Sequence, residues 1–167
     1  MNCDTLKKHI KTVSLGGEYG DSGRITKFQS HTVYWFFTED SEHTKPDELY
    51  IMNLFDEISH LTGIKFVHSK NKSPYIRIYI GDIHTFSKYL DSSSNLKDGV
   101  LGFANWNAQN DRIYKSNVFI SSELDGIKRR DVIREEITQS IGNTGDTPYN
   151  NTLFYQYKGN DNEYYDK

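Results

Sequence analysis

Four side chains near the C-terminal end of the sequence are of types that can do chemistry together: Glu135, Glu136, Gln139 and Asp146. Ile133, Ile137 and Ile141 recur at every fourth position around them, which predicts a helix that buries one stripe. At about 100° per residue, Glu135 and Gln139 leave that helix on one face, a turn apart, with Glu136 between that face and the buried stripe. Two oxygen-bearing side chains in that relation can hold a metal ion, and a carboxylate beside them can take a proton from water. A metal-free dyad of Glu135 and Glu136 is disfavoured, because adjacent helix residues point about 100° apart. The bland alternative for Glu135 is an ion pair with Arg129 or Arg130 on a solvated helix face.

The spacing is that of H-E-x-x-H. There, histidines at i and i+4 hold zinc, and the glutamate after the first acts as general base on metal-bound water. Here Glu135 and Gln139 stand in the histidine places and Glu136 in that of the base. Gly142 stands where the chain turns, and Asp146 follows four residues later. The run Arg134-Glu135-Glu136-Ile137-Thr138-Gln139-Ser140-Ile141-Gly142 and the later Thr152-Leu153-Phe154-Tyr155 resemble the two signature pieces of a bacterial zincin-related family. That family is often found in exported proteins and lipoproteins. The resemblance covers roughly residues 30–157. It implies a zincin-like α+β fold: a mixed, mostly antiparallel/parallel sheet backed by one helix, with a second helix of the active-site type and an edge strand bordering a cleft. The family's chains tend to continue into a further C-terminal helix, so the domain is expected to extend beyond Lys167.

For function, the resemblance implies a metalloprotease-related protein with a degenerate site, non-catalytic or atypical, in which Glu135, Gln139 and Asp146 are the binding residues. The alternative is an active metal-dependent peptidase with an oxygen-rich site and Glu136 as the catalytic base. A neutral glutamine amide is a poor zinc ligand, and no histidine follows His84 to complete a set. An ordinary zinc site is therefore disfavoured. A divalent cation such as calcium, magnesium or manganese suits the oxygen set better. The cofactor is left open, and the expected partner is a peptide or protein.

The elements that must position these residues are legible upstream. Thr32-Val33-Tyr34-Trp35-Phe36-Phe37 reads as a strand buried on both faces. Residues 47–62 read as a helix with Ile51, Leu54, Phe55, Ile58 and Leu61 or Thr62 inside, Pro46 in the first turn and Gly63 just past the end. Strands are expected at 64–67 and 75–80, with Tyr75, Arg77 and Tyr79 on one face of the latter. Tyr75 and Tyr79 are either a peptide- or glycan-binding ladder or packed under a loop. Residues 82–99 read as a polar connection with a mobile serine-rich stretch at 91–95. Strands at 100–106 and 112–121 form a hairpin or near-neighbour pair, and Ser121-Ser122 reads as cap material for the helix that follows.

Composition narrows the class. The chain has 167 residues, net charge −3, twelve Tyr and nine Phe. That suits one domain with a real core. Residues 1–30 are a polar segment and leading strand region, 31–157 the domain, and 158–167 a polar tail. Mixed charge argues against nucleic acid, and Lys128-Arg129-Arg130 reads as a solvated helix turn. No run is long and apolar enough for a transmembrane segment. The lone Cys3 excludes an internal disulfide and is either an idle thiol or a lipid-attachment site. The family resemblance implies an extracytoplasmic or cell-envelope location.

Overall fold

The computed structural model describes residues 26–90 and 99–142. Strand β1 (Thr32–Phe37) leads into helix α1 (Lys45–Thr62), then β2 (Lys65–His68) and β3 (Tyr75–Gly81). The short helix α2 (Ile83–Phe86) runs into a 3-10 turn at Ser87–Tyr89. Strands β4 (Gly102–Gln109) and β5 (Arg112–Ser121) and helix α3 (Gly126–Ser140) complete the α+β domain.

The sheet has five strands in the order β2-β1-β3-β5-β4. The three pairings among β2, β1, β3 and β5 are parallel, and only β4 runs antiparallel, against β5, at the margin. The balance of this mixed sheet is thus parallel, as befits a chain that returns through helix α1 between β1 and β2. The β4–β5 pair is a true hairpin. Asn110 and Asp111 close it at φ of 52° and 59°, the double left-handed conformation that a two-residue turn needs and that Asn and Asp tolerate.

Helix α1 is set by its ends. Thr44 and Asp47 form a capping box, and Gly63 at φ 73° donates its N–H to the Ser59 carbonyl. Its buried stripe is Ile51, Leu54, Phe55 and Ile58, and it stops there: Leu61 is 80% exposed and Thr62 is also exposed. Helices α1 and α3 lie on the same face of the sheet. Between them and the strands lies the main core, with Val33, Trp35, Ile76, Ile78, Ile80, Val118, Ile120, Ile133 and Ile137 among its members.

Strand β1 is not buried on both faces. Val33 and Trp35 are buried, whereas Tyr34 and Phe36 on the far face are only half-buried. Beyond β3 the far face has its own small core, in which Tyr79, Phe119, Ile83 and Phe86 pack together. The segment after Gly81 is therefore not simply a polar connection. Asp82 caps α2 by accepting the Thr85 N–H, and Phe86 is fully buried beneath it. Burial of such a ring contributes about 1.5–3 kcal/mol. Tyr79 is packed under this helix rather than displayed, while Tyr75 stays half-exposed. The serine-rich stretch at 91–95 lies outside the described residues.

Candidate functional site on the third helix and the edge strand

Helix α3 is held on three sides, and each side uses a different part of the sequence. Ile133 and Ile137 are fully buried in the main core. At the C-terminal end the buried Ser116 hydroxyl donates to the Ser140 carbonyl at 2.7 Å, satisfying one of the orphan acceptors there. Gly142 follows at φ 117°, and a β-carbon at that position would land on the Thr26 carbonyl oxygen. Only glycine serves both demands.

The flank toward α1 is ionic. Arg134 donates to both carboxylate oxygens of Glu57 at 3.2 and 3.0 Å and to the Tyr50 hydroxyl at 3.4 Å. The bond to Glu57, then that to Tyr50, pushes the guanidinium further toward its charged form. At the start of the helix Arg129 reaches the buried Asp47 of α1 at 3.2 Å and the Ser122 carbonyl at 2.9 Å. The run Lys128-Arg129-Arg130 is thus not wholly solvated: Arg129 is drawn in, and Arg130 lies 5.6 Å from the Tyr50 ring centre. Ser121 does not cap the helix. Its hydroxyl accepts the Glu123 N–H, and Asp125 occupies the N-cap place without a side-chain bond.

The opposite flank meets the edge strand. Val132 and Glu136 lie so close to Gly102, the first residue of β4, that a β-carbon there would sit 2.5 Å from the Val132 Cγ1, 2.5 Å from the Glu136 Oε1 and 2.8 Å from the Glu136 Cγ. Glu136 is 7% exposed. The helix lattice expected Glu136 between the buried stripe and the polar face, and the structure puts it there, between α3 and β4. Glu135 and Gln139 are half-buried. At about 100° per residue Gln139 lies about 60° and Glu135 about 100° round the helix from Glu136, away from the buried Ile133–Ile137 stripe.

Asp146 and Thr152-Leu153-Phe154-Tyr155 lie outside the described residues. Among the described residues no three His, Cys, Asp or Glu side chains converge as a metal-binding group. Three of the six histidines are engaged elsewhere: His60 is exposed and bonded to the Asp56 carbonyl, His68 stacks on Trp35 at 4.4 Å between ring centres, and His43 stacks on Phe37 at 3.7 Å. The edge strand from Gly102 to Trp106 is a binding edge in the sequence reading, but the close contact of Gly102 with α3 is not part of it. Its signal was there, since glycine opening a strand often marks a close approach of another element.

Fold and site together define a class: an α+β domain with both long helices on one face of a mixed five-stranded sheet, whose last described helix sets Val132 and Glu136 against an antiparallel edge strand. Among the described residues no helix is long and apolar enough to cross a membrane. The chain belongs to the family described as protein of unknown function (DUF2927), whose model matches residues 4–166. No curated protein matches it.

Proposed function

We propose that this is a zincin-related domain of exported or envelope proteins whose metal site is degenerate and whose cleft holds an extended peptide without cutting it. The observation that carries the reading is the contact of Glu136 with Gly102. It joins the helix with the H-E-x-x-H spacing to the antiparallel edge strand β4. Glu135, Gln139 and Asp146 offer oxygen only, a set that favours a hard cation over zinc.

Strand β4 supplies the binding chemistry. The Ser121 N–H donates to the Leu101 carbonyl. In an antiparallel ladder, inward- and outward-facing residues alternate, so Phe103 and Asn105 bond to β5 while Gly102, Ala104 and Trp106 direct N–H and C=O outward. Among the described residues no strand pairs with that side. A peptide added there gains main-chain hydrogen bonds in the manner of β-augmentation.

A tryptic digest of casein tests this with binding and cleavage read in parallel. Expected are amide shifts at residues 102, 104 and 106, no new termini by mass spectrometry, and binding retained in Glu136→Gln but lost in Ala104→Pro, which removes one outward donor. Chelator-sensitive cleavage that disappears in Glu136→Gln would establish the peptidase alternative instead. Neither binding nor cleavage would reject the zincin-cleft reading altogether.

A further inference from the structure

The far face of the sheet, opposite α1 and α3, carries a second feature independent of that cleft. A cavity of about 470 Å³ lies over β1 and β3, lined by Phe36, Tyr75, Arg77, Tyr89 and the 70–73 turn. That volume lies within the range of small-molecule sites, roughly 300–1,000 Å³. Its walls are aromatic and its free charge is positive. Lys70 is neutralised by Glu39, and the neighbouring Lys88 by Asp40, which also accepts the Tyr89 hydroxyl. Lys72 and Arg77 remain: among the described residues no carboxylate pairs with either.

Arg77 is held rather than loose. Its guanidinium carbon lies 5.8 Å from the Tyr75 ring centre and 5.0 Å from that of Tyr89. One terminal nitrogen donates to the Tyr89 carbonyl at 3.3 Å and the other to the Tyr75 hydroxyl at 3.5 Å. Both bonds are long, and of five N–H donors the remaining three have no acceptor among the described residues. A guanidinium braced between two rings loses little freedom when a planar anion meets its fork. Lys72, at 5.1 Å from the Tyr34 ring centre, adds a second cation at the rim.

We infer that this cavity binds a small carboxylate ligand whose body is a ring. The Arg77 fork matches a carboxylate bidentately. Phe36, Tyr75 and Tyr89 supply flat apolar walls against which a ring gains burial. Inorganic phosphate brings charge but nothing for those walls to cover, so it is the weaker ligand.

Benzoate is the probe, with benzamide as its uncharged isostere and inorganic phosphate as the bare anion. The expected result is saturable benzoate binding by calorimetry, with resonances of Tyr75 and Tyr89 shifted, and none with benzamide. Arg77→Gln should weaken benzoate by about tenfold to a hundredfold, the worth of a lost charge-assisted pair. Lys72→Gln, in an exposed turn, should weaken it less and flatten its salt dependence while leaving the fold untouched. Benzamide binding as well as benzoate would overturn the inference, as would phosphate binding more tightly, or benzoate binding unchanged in both variants, or no saturable benzoate binding at all. None of these outcomes bears on the proposed peptide edge at β4, the far strand of the sheet.

Discussion

Replacing Gly102 by alanine adds one methyl group where helix and edge strand already touch. The new carbon would lie 2.5 Å from two heavy atoms and 2.8 Å from a third, inside the 3.5–4.0 Å at which carbons attract one another. Two of those atoms belong to Glu136, which can rotate. The third is a methyl of Val132, whose branched side chain is stiff within a helix. Relief therefore requires α3 to back away from β4, and overpacking of this kind costs about 1–3 kcal/mol. The loss of unfolded-state freedom when glycine becomes alanine offsets about 0.4–1 kcal/mol. The net expectation is a loss of about 1–2 kcal/mol. Urea unfolding followed by tryptophan fluorescence reads it, because Trp106 lies on β4 itself. Val132→Ala in the same background should recover part of the loss, a coupling of at least about 0.5 kcal/mol. A Gly102→Ala protein as stable as the parent, with Val132→Ala strictly additive, would refute the claim that α3 and β4 meet at this point. The proposed cleft would then lose its geometry.

Three further outcomes follow from the packing of the helices. Asp47 accepts from the Thr44 N–H and hydroxyl at 2.9 and 2.8 Å and from Arg129 at 3.2 Å, with only 10% of its side chain exposed. Asp47→Ala should cost about 2–4 kcal/mol in urea unfolding, through the lost cap and the stranded guanidinium, and more than Arg129→Met does. The Arg134–Glu57 pair is 37% and 50% exposed, so Glu57→Gln should cost under about 1 kcal/mol and less still at high salt. Its hydrogen bond and charge attraction from Arg134 lower the Glu57 pKa below 4.5; the small contribution is present above that value and lost as pH falls through the lower folded value, so the stabilities of parent and Glu57→Gln should converge in acid.

Some of this architecture was open to reading from residue types, and the limits are physical. Helix α1 carries all its signals locally: Pro46, a stripe at i, i+3 and i+4, and Gly63. Strand β3 likewise shows its faces by alternation. What escaped was information held between elements. Thr32–Phe37 is apolar throughout, and nothing local shows that Tyr34 and Phe36 face a part of the sheet that no long helix covers. Phe86 lies among His84, Thr85, Ser87 and Lys88, so its burial is visible only once β3 and β5 bring Tyr79 and Phe119 beneath it. The helix spacing set Glu136 beside the buried stripe, and it is buried in the structure. Which neighbour Glu136 would meet depended on the register of β4, and no periodicity in α3 encodes that. Arg134 shows the converse: within the motif it looks like part of the site, yet its partners are Glu57 and Tyr50 on the other flank.

The ancestry argument can be tested by putting back what is missing. In Glu135→His/Gln139→His the two imidazoles would leave α3 a turn apart, and such a pair binds zinc on many helices. Binding alone therefore decides nothing. The zincin reading predicts more than a bare histidine pair would show. A metal there should take Asp146 as a third protein ligand and keep one position for water, a four-coordinate arrangement. Cobalt substituted into the double variant should show the strong visible absorption of a four-coordinate ion, and Asp146→Ala should weaken zinc binding by about tenfold or more, as loss of a direct ligand demands. A weakly absorbing six-coordinate cobalt spectrum, with zinc affinity indifferent to Asp146→Ala, would mean that α3 carries the spacing of a metalloprotease helix without its surroundings. The Glu-x-x-x-Gln pair would then be a solvated helix face, and the proposed peptide binding at β4 would stand or fall without any metal history behind it.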